Sequence, residues 1–269
     1  MKNILSTVIK RLDTKKTKYC RIKHKRGWLE YLDDGDLIFA PSELHVTLRD
    51  VIDTPDNMPR GEKLFSLHRK LNFTMKKDKS PYRLEEALER FIIVSNPDNF
   101  YNQVPIGGGK ESIDIGIEEN DSRFVFVELK PWRSMNSPFY AIVQSLKNLI
   151  EYRLIHEFEK KRIPRYNDVE LCILAPEEYY QTYGLIDSHG RYRKEKLQIL
   201  KTTLNRISSQ FHANLSIMAL QLEISSFLGI CRKLYESKGI TEQSTVSVSR
   251  KDSIPSLAKN KWIPLVASG

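Results

Sequence analysis

From residue 80 onward the apolar positions keep regular periods. Leu84, Leu88, Phe91 and Ile92 recur at helical spacing behind Ser80-Pro81, where Ser can cap a helix and Pro suits its first turn. That predicts a helix ending at Ser95-Asn96-Pro97-Asp98. Residues 103–106 read as a short strand before the turn Gly107-Gly108-Gly109. Residues 112–117 and 123–130 then alternate at period two and flank a polar turn, the pattern of an antiparallel hairpin. A second cap-plus-Pro pair, Ser137-Pro138, opens a helix carrying Ile142, Val143, Leu146, Leu149, Ile150 and Ile155 on one face and running to Pro164. Residues 169–175 form a short apolar run of the buried-strand type. Leu197, Leu200, Leu204, Ile207 and Phe211 stripe a helix over 193–211. A strand over 215–224 and a helix over 226–236 complete the series.

Strands interleaved with helices, with a hairpin in front, predict an α/β fold with a mixed central sheet flanked by helices. Upstream, Trp28 to Leu32 and Asp36 to Ala40 flank Asp33-Asp34-Gly35, a hairpin signal, so the N-terminal extension contains β structure. Residues 64–79, ending on Lys76, Lys77 and Lys79, read as a linker. The division is then a basic N-terminal region over 1–79, an α/β core over 80–236 and a tail over 237–269. That tail is Ser-, Thr- and Lys-rich, and one apolar patch, Trp262-Ile263-Pro264-Leu265-Val266, is suited to docking.

Charge adds an asymmetry. The 269 residues carry 43 Lys and Arg against 34 Asp and Glu, a net charge of +9. Residues 1–26 hold ten of the basic residues and one acid, Asp13, which leaves 33 of each sign for the rest. The whole excess is therefore N-terminal, centred on Lys15, Lys16, Lys18, Arg21, Lys23, Lys25 and Arg26. Such an arm suits a polyanion, because each phosphate contact releases counterions, and a solvated basic surface is the plain alternative. No apolar run is long enough for a membrane helix, and Met1 to Leu12 lack the unbroken apolar stretch of a secretory signal. The three cysteines, Cys20, Cys172 and Cys231, form no CxxC pair, and the histidines show no metal-binding spacing. The expectation is a cytoplasmic protein with no membrane partner.

Candidate chemistry lies on the hairpin. Ile113-Asp114-Ile115 and Val125-Phe126-Val127-Glu128-Leu129-Lys130 place charges inside strongly apolar strands. Glu128 and Lys130 share a face; if residues 120–122 form a three-residue loop, Asp114 faces Glu128, and other loop lengths shift that pairing. A charge buried alone costs several kcal/mol, so these groups want one another or a metal. Carboxylate and carbonyl oxygens suit Mg²⁺ or Mn²⁺. Gly107-Gly108-Gly109 offers no phosphate loop, since the first Gly of GxxxxGK[ST] is missing and Glu111 follows Lys110. The two other ExK triplets, Glu159-Lys160-Lys161 and Glu236-Ser237-Lys238, fall at predicted helix ends and read as solvated charges.

Ile113-Asp114 followed by Glu128-Leu129-Lys130 resembles the PD-(D/E)xK nuclease superfamily, the restriction-endonuclease-like fold, over roughly residues 80–225. The helix through Leu84 to Ile92 resembles that family's first, acid-bearing helix, and Gln144 sits where the following helix often places a Gln. Ile113 stands where the family commonly has Pro. Glu85, Glu86 and Glu89 all compete for the acid of the first helix; Glu85 is favoured and Glu86 comes second. The resemblance implies metal-dependent hydrolysis of phosphodiester bonds, with DNA as the first-choice substrate and a homodimer or larger complex as a further expectation. It implies that Asp114, Glu128, the Leu129 carbonyl and Glu85 bind Mg²⁺ or Mn²⁺. Lys130 would orient the attacking water, and Gln144 would support Lys130 or touch substrate. A nuclease-like module without activity, binding nucleic acid or another partner, is the alternative.

Overall fold

The structure is a computed structural model, and it describes residues 71–105, 112–120, 123–158, 168–211, 213–239 and 242–268. The basic arm over 1–26, the hairpin expected at 28–40 and the triple-glycine turn lie outside the described residues. Six strands form one mixed sheet: β2 (Phe100–Pro105), β3 (Ser112–Asn120), β4 (Arg123–Leu129), β5 (Asp168–Pro176), β6 (Asn214–Leu220) and β8 (Ile263–Ala267), in that order. The first three pair antiparallel, β4, β5 and β6 run parallel, and β8 returns antiparallel along β6. Parallel neighbours need long crossovers, and helices supply them. α2 (Pro138–Phe158) joins β4 to β5, while α3 (Glu177–Thr182) and α4 (Lys194–Phe211) join β5 to β6. α1 (Leu84–Val94) precedes β2, and α5 (Ile224–Ser237) follows β6. A small second sheet pairs β1 (Asn72–Met75) antiparallel with β7 (Ser244–Ser247).

Strand periodicity makes the sheet a wall between two apolar clusters. Phe124 and Phe126 of β4 join Val169, Leu171 and Ile173 of β5 and Leu215 and Ile217 of β6 under α2, α3 and α4. Val125, Val127 and Leu129 point the other way, with Ile115, Ile117, Cys172 and Leu174, against α1, α5, β1 and β7. Burying Val, Ile and Leu on both sides explains why β5 reads as a nearly continuous apolar stretch. α2 goes beyond the single stripe expected of it: Ser145, Lys147 and Asn148 are buried along with Ile142, Val143, Leu146 and Leu149.

Gly116 shows how tightly the wall is built. A Cβ there would stand 2.5 Å from Phe124 Cζ and 2.7 Å from Val104 Cγ2, so β2, β3 and β4 close only around a bare backbone.

Several expectations change. Ser80-Pro81 does not start the helix. Ser80 bonds Asp78 through its N–H and its hydroxyl, Pro81 bridges to Met75, and α1 begins only at Leu84. Part of the expected linker is strand β1, paired to a segment of the tail 170 residues away in sequence, a pairing no local pattern encodes. The strand over 215–224 stops at Leu220, and α5 has already begun at Ile224. The apolar patch at Trp262 docks as β8, with Trp262 itself in the core beneath it. By contrast Ser137 does cap α2, accepting the Tyr140 N–H at 3.2 Å. Among the described residues no helix is long and apolar enough to cross a membrane.

Candidate functional site

β3 and β4 pair with Ile115 opposite Val127 and Ile117 opposite Val125, a register that carries Asp114 opposite Glu128. The route differs from the expected three-residue loop. Asn120 pairs with Arg123 directly, and a bulge between Glu118 and Asn120 takes up the extra residue. Asp114 and Glu128 therefore lie near the C-terminal end of the parallel strands, where ligands of open α/β sheets bind. The Leu129 N–H donates to Asp114 Oδ2 at 2.8 Å, locking the first carboxylate onto the backbone beside the second.

Lys130 follows directly after β4, its N–H held by the Leu174 carbonyl at 2.9 Å. Its ammonium pairs with Glu128 Oε1, and both side chains are almost wholly buried. Glu128 Oε2 is also buried, and among the described residues it has no hydrogen-bond partner. A buried carboxylate with one oxygen unanswered is costly unless something else reaches it.

The first helix brings the remaining acids. Glu85 and Glu89, four residues apart, share one face of α1. Burial raises the Glu85 carboxyl to about 7; Lys130 acts against that rise and Asp114 adds to it, so Glu85 stands within the field of both. Burial likewise raises Glu128 to about 8, with Asp114 and Glu85 adding repulsion against the attraction of Lys130. Asp114 is raised by burial, opposed by Lys130 and by its bond from Leu129. Burial works against the Lys130 charge, but Glu128, Asp114 and Glu85 together outweigh it and hold the ammonium protonated. Glu85, Asp114, Glu128 and Lys130 are thus electrostatically one group: three carboxylates and one cation in a desolvated place.

The competition within α1 sorts by geometry. Glu86 pairs with Arg90 at 3.6 Å along the helix surface and takes no part in the group. Glu89 is buried, accepts from Gln103 Nε2 at 2.8 Å, pairs with Arg90, and feels repulsion from Asp114. Burial raises its carboxyl to about 8. The sequence offered no reason to single out Gln103. It lies between Asn102 and Val104, which pair with Ile115 and Ile113, so it is the β2 residue beside Asp114. Its φ of +51° is a left-handed conformation that L side chains adopt at a cost, and such strain gathers at functional sites. That backbone lets the Gln103 amide serve two neighbours, donating to Glu89 and accepting from Ser112 Oγ at 2.9 Å.

Tyr179 of α3 is a second residue that periodicity hid. It is fully buried, lies in the field of Glu128 and Glu85, and donates its hydroxyl to the Asn136 carbonyl at 2.8 Å. Gln144 lies half-buried on α2, and among the described residues no hydrogen bond joins it to the four charged groups. The other triplet in view, Glu236-Ser237-Lys238, ends α5 with Glu236 on exposed Lys79 at 2.8 Å, as a solvated charge should be.

By chemical type the oxygens at this end of the sheet are those that hard divalent ions take. They comprise carboxylate oxygens on two adjacent strands and a helix, the buried Glu128 Oε2 among them, and a strand-end carbonyl at Leu129. Among the described residues, no three His, Cys, Asp or Glu side chains are grouped so that they could hold a metal ion, and Lys130 is the counter-ion Glu128 has. Compared with protein families, with curated proteins and with solved structures, the chain matches none.

Proposed function

We propose that this chain is a metal-dependent phosphodiesterase of the PD-(D/E)xK kind, with a restriction-endonuclease-like core and DNA as its substrate. The observation that carries the reading is the placement of Asp114, Glu128 and Lys130 together at one end of the sheet, with Glu85 of α1 in the field of Asp114 and Lys130. Asp114, Glu128, the Leu129 carbonyl and Glu85 would hold Mg²⁺ or Mn²⁺. Such an ion, when bound, polarises a phosphate and makes water a better nucleophile.

The chain's own residues do the rest. The Leu129 N–H fixes Asp114, so its carboxylate needs no reorganisation to receive charge. Lys130, buried and kept protonated by its neighbours, offers a fixed positive charge for the negative charge that develops on a phosphate. Burial of Asp114, Glu128 and Lys130 keeps water from screening these interactions. Glu85, half-buried, is the member nearest the surface, and a substrate would meet the group there.

An inactive nuclease-like module remains a second reading, and the buried Lys130–Glu128 pair, which closes the charge group on itself, favours it. Incubating supercoiled plasmid and single-stranded DNA with the chain in Mg²⁺ decides between them. The proposal expects cleavage that EDTA and Lys130→Ala both abolish. Absence of cleavage from the wild-type chain with either metal on any DNA or RNA would favour the inactive module.

A further inference from the structure

The turn that leads into α1 is built as a surface feature. Lys76, Lys77, Tyr82 and Arg83 are exposed, and the Tyr82 ring is 59% accessible. An aromatic ring this open contributes little to the core. The Lys76 ammonium stands 5.8 Å from its centroid, a cation–π arrangement. The turn is nevertheless rigid. The Lys76 N–H bonds the Ser80 carbonyl at 2.8 Å, the Tyr82 N–H bonds the Thr74 carbonyl at 2.8 Å, and Met75 bridges to Pro81. Its one acid, Asp78, is exposed as well and accepts from the Ser80 N–H and hydroxyl, so Lys76, Lys77 and Arg83 outnumber it on this surface.

Position ties this surface to the candidate site. Arg83 is the residue immediately before α1, and its charge acts on Glu85. Beyond Lys130, a second exposed pair, Arg133 and Met135, stands on a loop whose Ser134 and Asn136 carbonyls are held by Tyr183 and Tyr179. Tyr179 in turn lies in the field of Glu128 and Glu85. Cations and apolar surface thus flank the most accessible member of a buried acidic group.

We propose that the turn at Lys76 to Arg83 is the rim that holds an unpaired stretch of nucleic acid, one base stacked on Tyr82 and the flanking phosphates on Lys76, Lys77 and Arg83. The inference rests on the phosphodiesterase reading and names its substrate class. A base can lie on an aromatic face only when it has left the duplex stack, and stacking is tolerant of sequence because every base has a π-face. The cations answer a definite need, since an acidic group alone repels phosphates.

Fluorescence anisotropy of the full chain in EDTA tests this without cleavage. The probes are labelled single-stranded DNA, single-stranded RNA of the same sequence, and the DNA annealed to its complement. Tyr82→Ala is expected to weaken single-strand binding about tenfold while Tyr82→Trp and Tyr82→Phe retain it, with duplex binding unchanged. Lys77→Gln is expected to lower the slope of log affinity against log salt by about 0.7 on the single strand. The DNA and RNA arms show which sugar the rim takes. Equal binding by Tyr82→Ala and wild type, equal loss on duplex and single strand, or no binding by the wild type would overturn the proposal. Tyr82-dependent binding without metal-dependent cleavage leaves the rim standing and removes the hydrolase; cleavage with binding indifferent to Tyr82 does the reverse.

Discussion

At one end of β4, Arg123 meets Glu119 at 2.8 Å, Glu170 at 2.5 Å and Asp168 at 3.7 Å. At the other, about 20 Å along the same strand, Lys130 faces Glu128, Asp114 and Glu85. Each group gathers three carboxyl groups about a central cation, with Lys259 adding a second at the first end and Arg90 acting on Asp114 at the other, yet their physics differ. Arg123 is about one-third exposed, and water shares the work of balancing its partners; Glu119 also pairs with Lys259. Lys130 and Glu128 are shut away, Asp114 is nearly so, and among the described residues one Glu128 oxygen has no hydrogen-bond partner. A cluster of acids is therefore no signal by itself. Burial of the carboxyl groups separates the end proposed to take a cation from the end that lies at the surface.

The largest expected effects break the comparison directly. Lys130→Ala and Asp114→Asn should each lower metal-dependent cleavage about 100-fold or more. Arg123→Gln, in the surface cluster, should leave the rate within about twofold and cost at most about 1 kcal/mol of stability. Single-turnover cleavage and urea unfolding on the same preparations check both halves. If Arg123→Gln lost as much activity as Lys130→Ala, the two ends would not differ in the way described.

Packing beneath the acidic end is the next test. Gly116→Ala forces a methyl group against Phe124 and Val104 and should cost about 1–3 kcal/mol in urea unfolding. Relaxing the strained neighbour should do the opposite. Gln103→Gly relieves a left-handed φ and should hold or raise stability, by about 1 kcal/mol, while weakening cleavage because Glu89 loses its amide partner. A loss of both stability and activity would mean that Gln103 only props up the fold.

The pH dependence follows from the same burial. Glu89 and Glu128 hold their protons to about 8 in the folded chain, against 4.5 ordinarily. The folded state then binds more protons than the unfolded state between those values. Stability of the metal-free chain should fall as pH rises from about 4.5 to about 8. Glu89→Gln should flatten that decline in thermal unfolding, and a variant in the exposed cluster, Glu119→Gln, should not.

The hairpin and the long helices were legible because their apolar periods are local: two residues for β3 and β4, a heptad-like stripe for α4. Asp114 opposite Glu128 was legible as well, though a short turn plus a bulge replaced the assumed three-residue loop with the same sum. Less could be read where the deciding partner is distant. β1 and β7 are four residues each and gain their stability only from one another and the core behind them. Ser80-Pro81 misled because Ser and Pro favour tight turns as strongly as helix starts. Which acid of α1 enters the site depends on how the helix is rotated against β2 and β3, and the sequence names only three candidates. Gln103 and Tyr179 carry no pattern that separates them from any strand amide or core tyrosine. The basic arm over 1–26, clear in the charge count, lies outside the described residues.

Calorimetric titration of the metal-free chain with Mn²⁺ addresses the central claim most directly. The account predicts binding that is lost in Asp114→Asn and Glu128→Gln and preserved in Glu119→Gln, because Asp114 and Glu128 supply the proposed ligand oxygens while Glu119 is paired with Arg123 and Lys259 at the surface. No Mn²⁺ binding by the wild-type chain, or binding that survives both Asp114→Asn and Glu128→Gln, would contradict it.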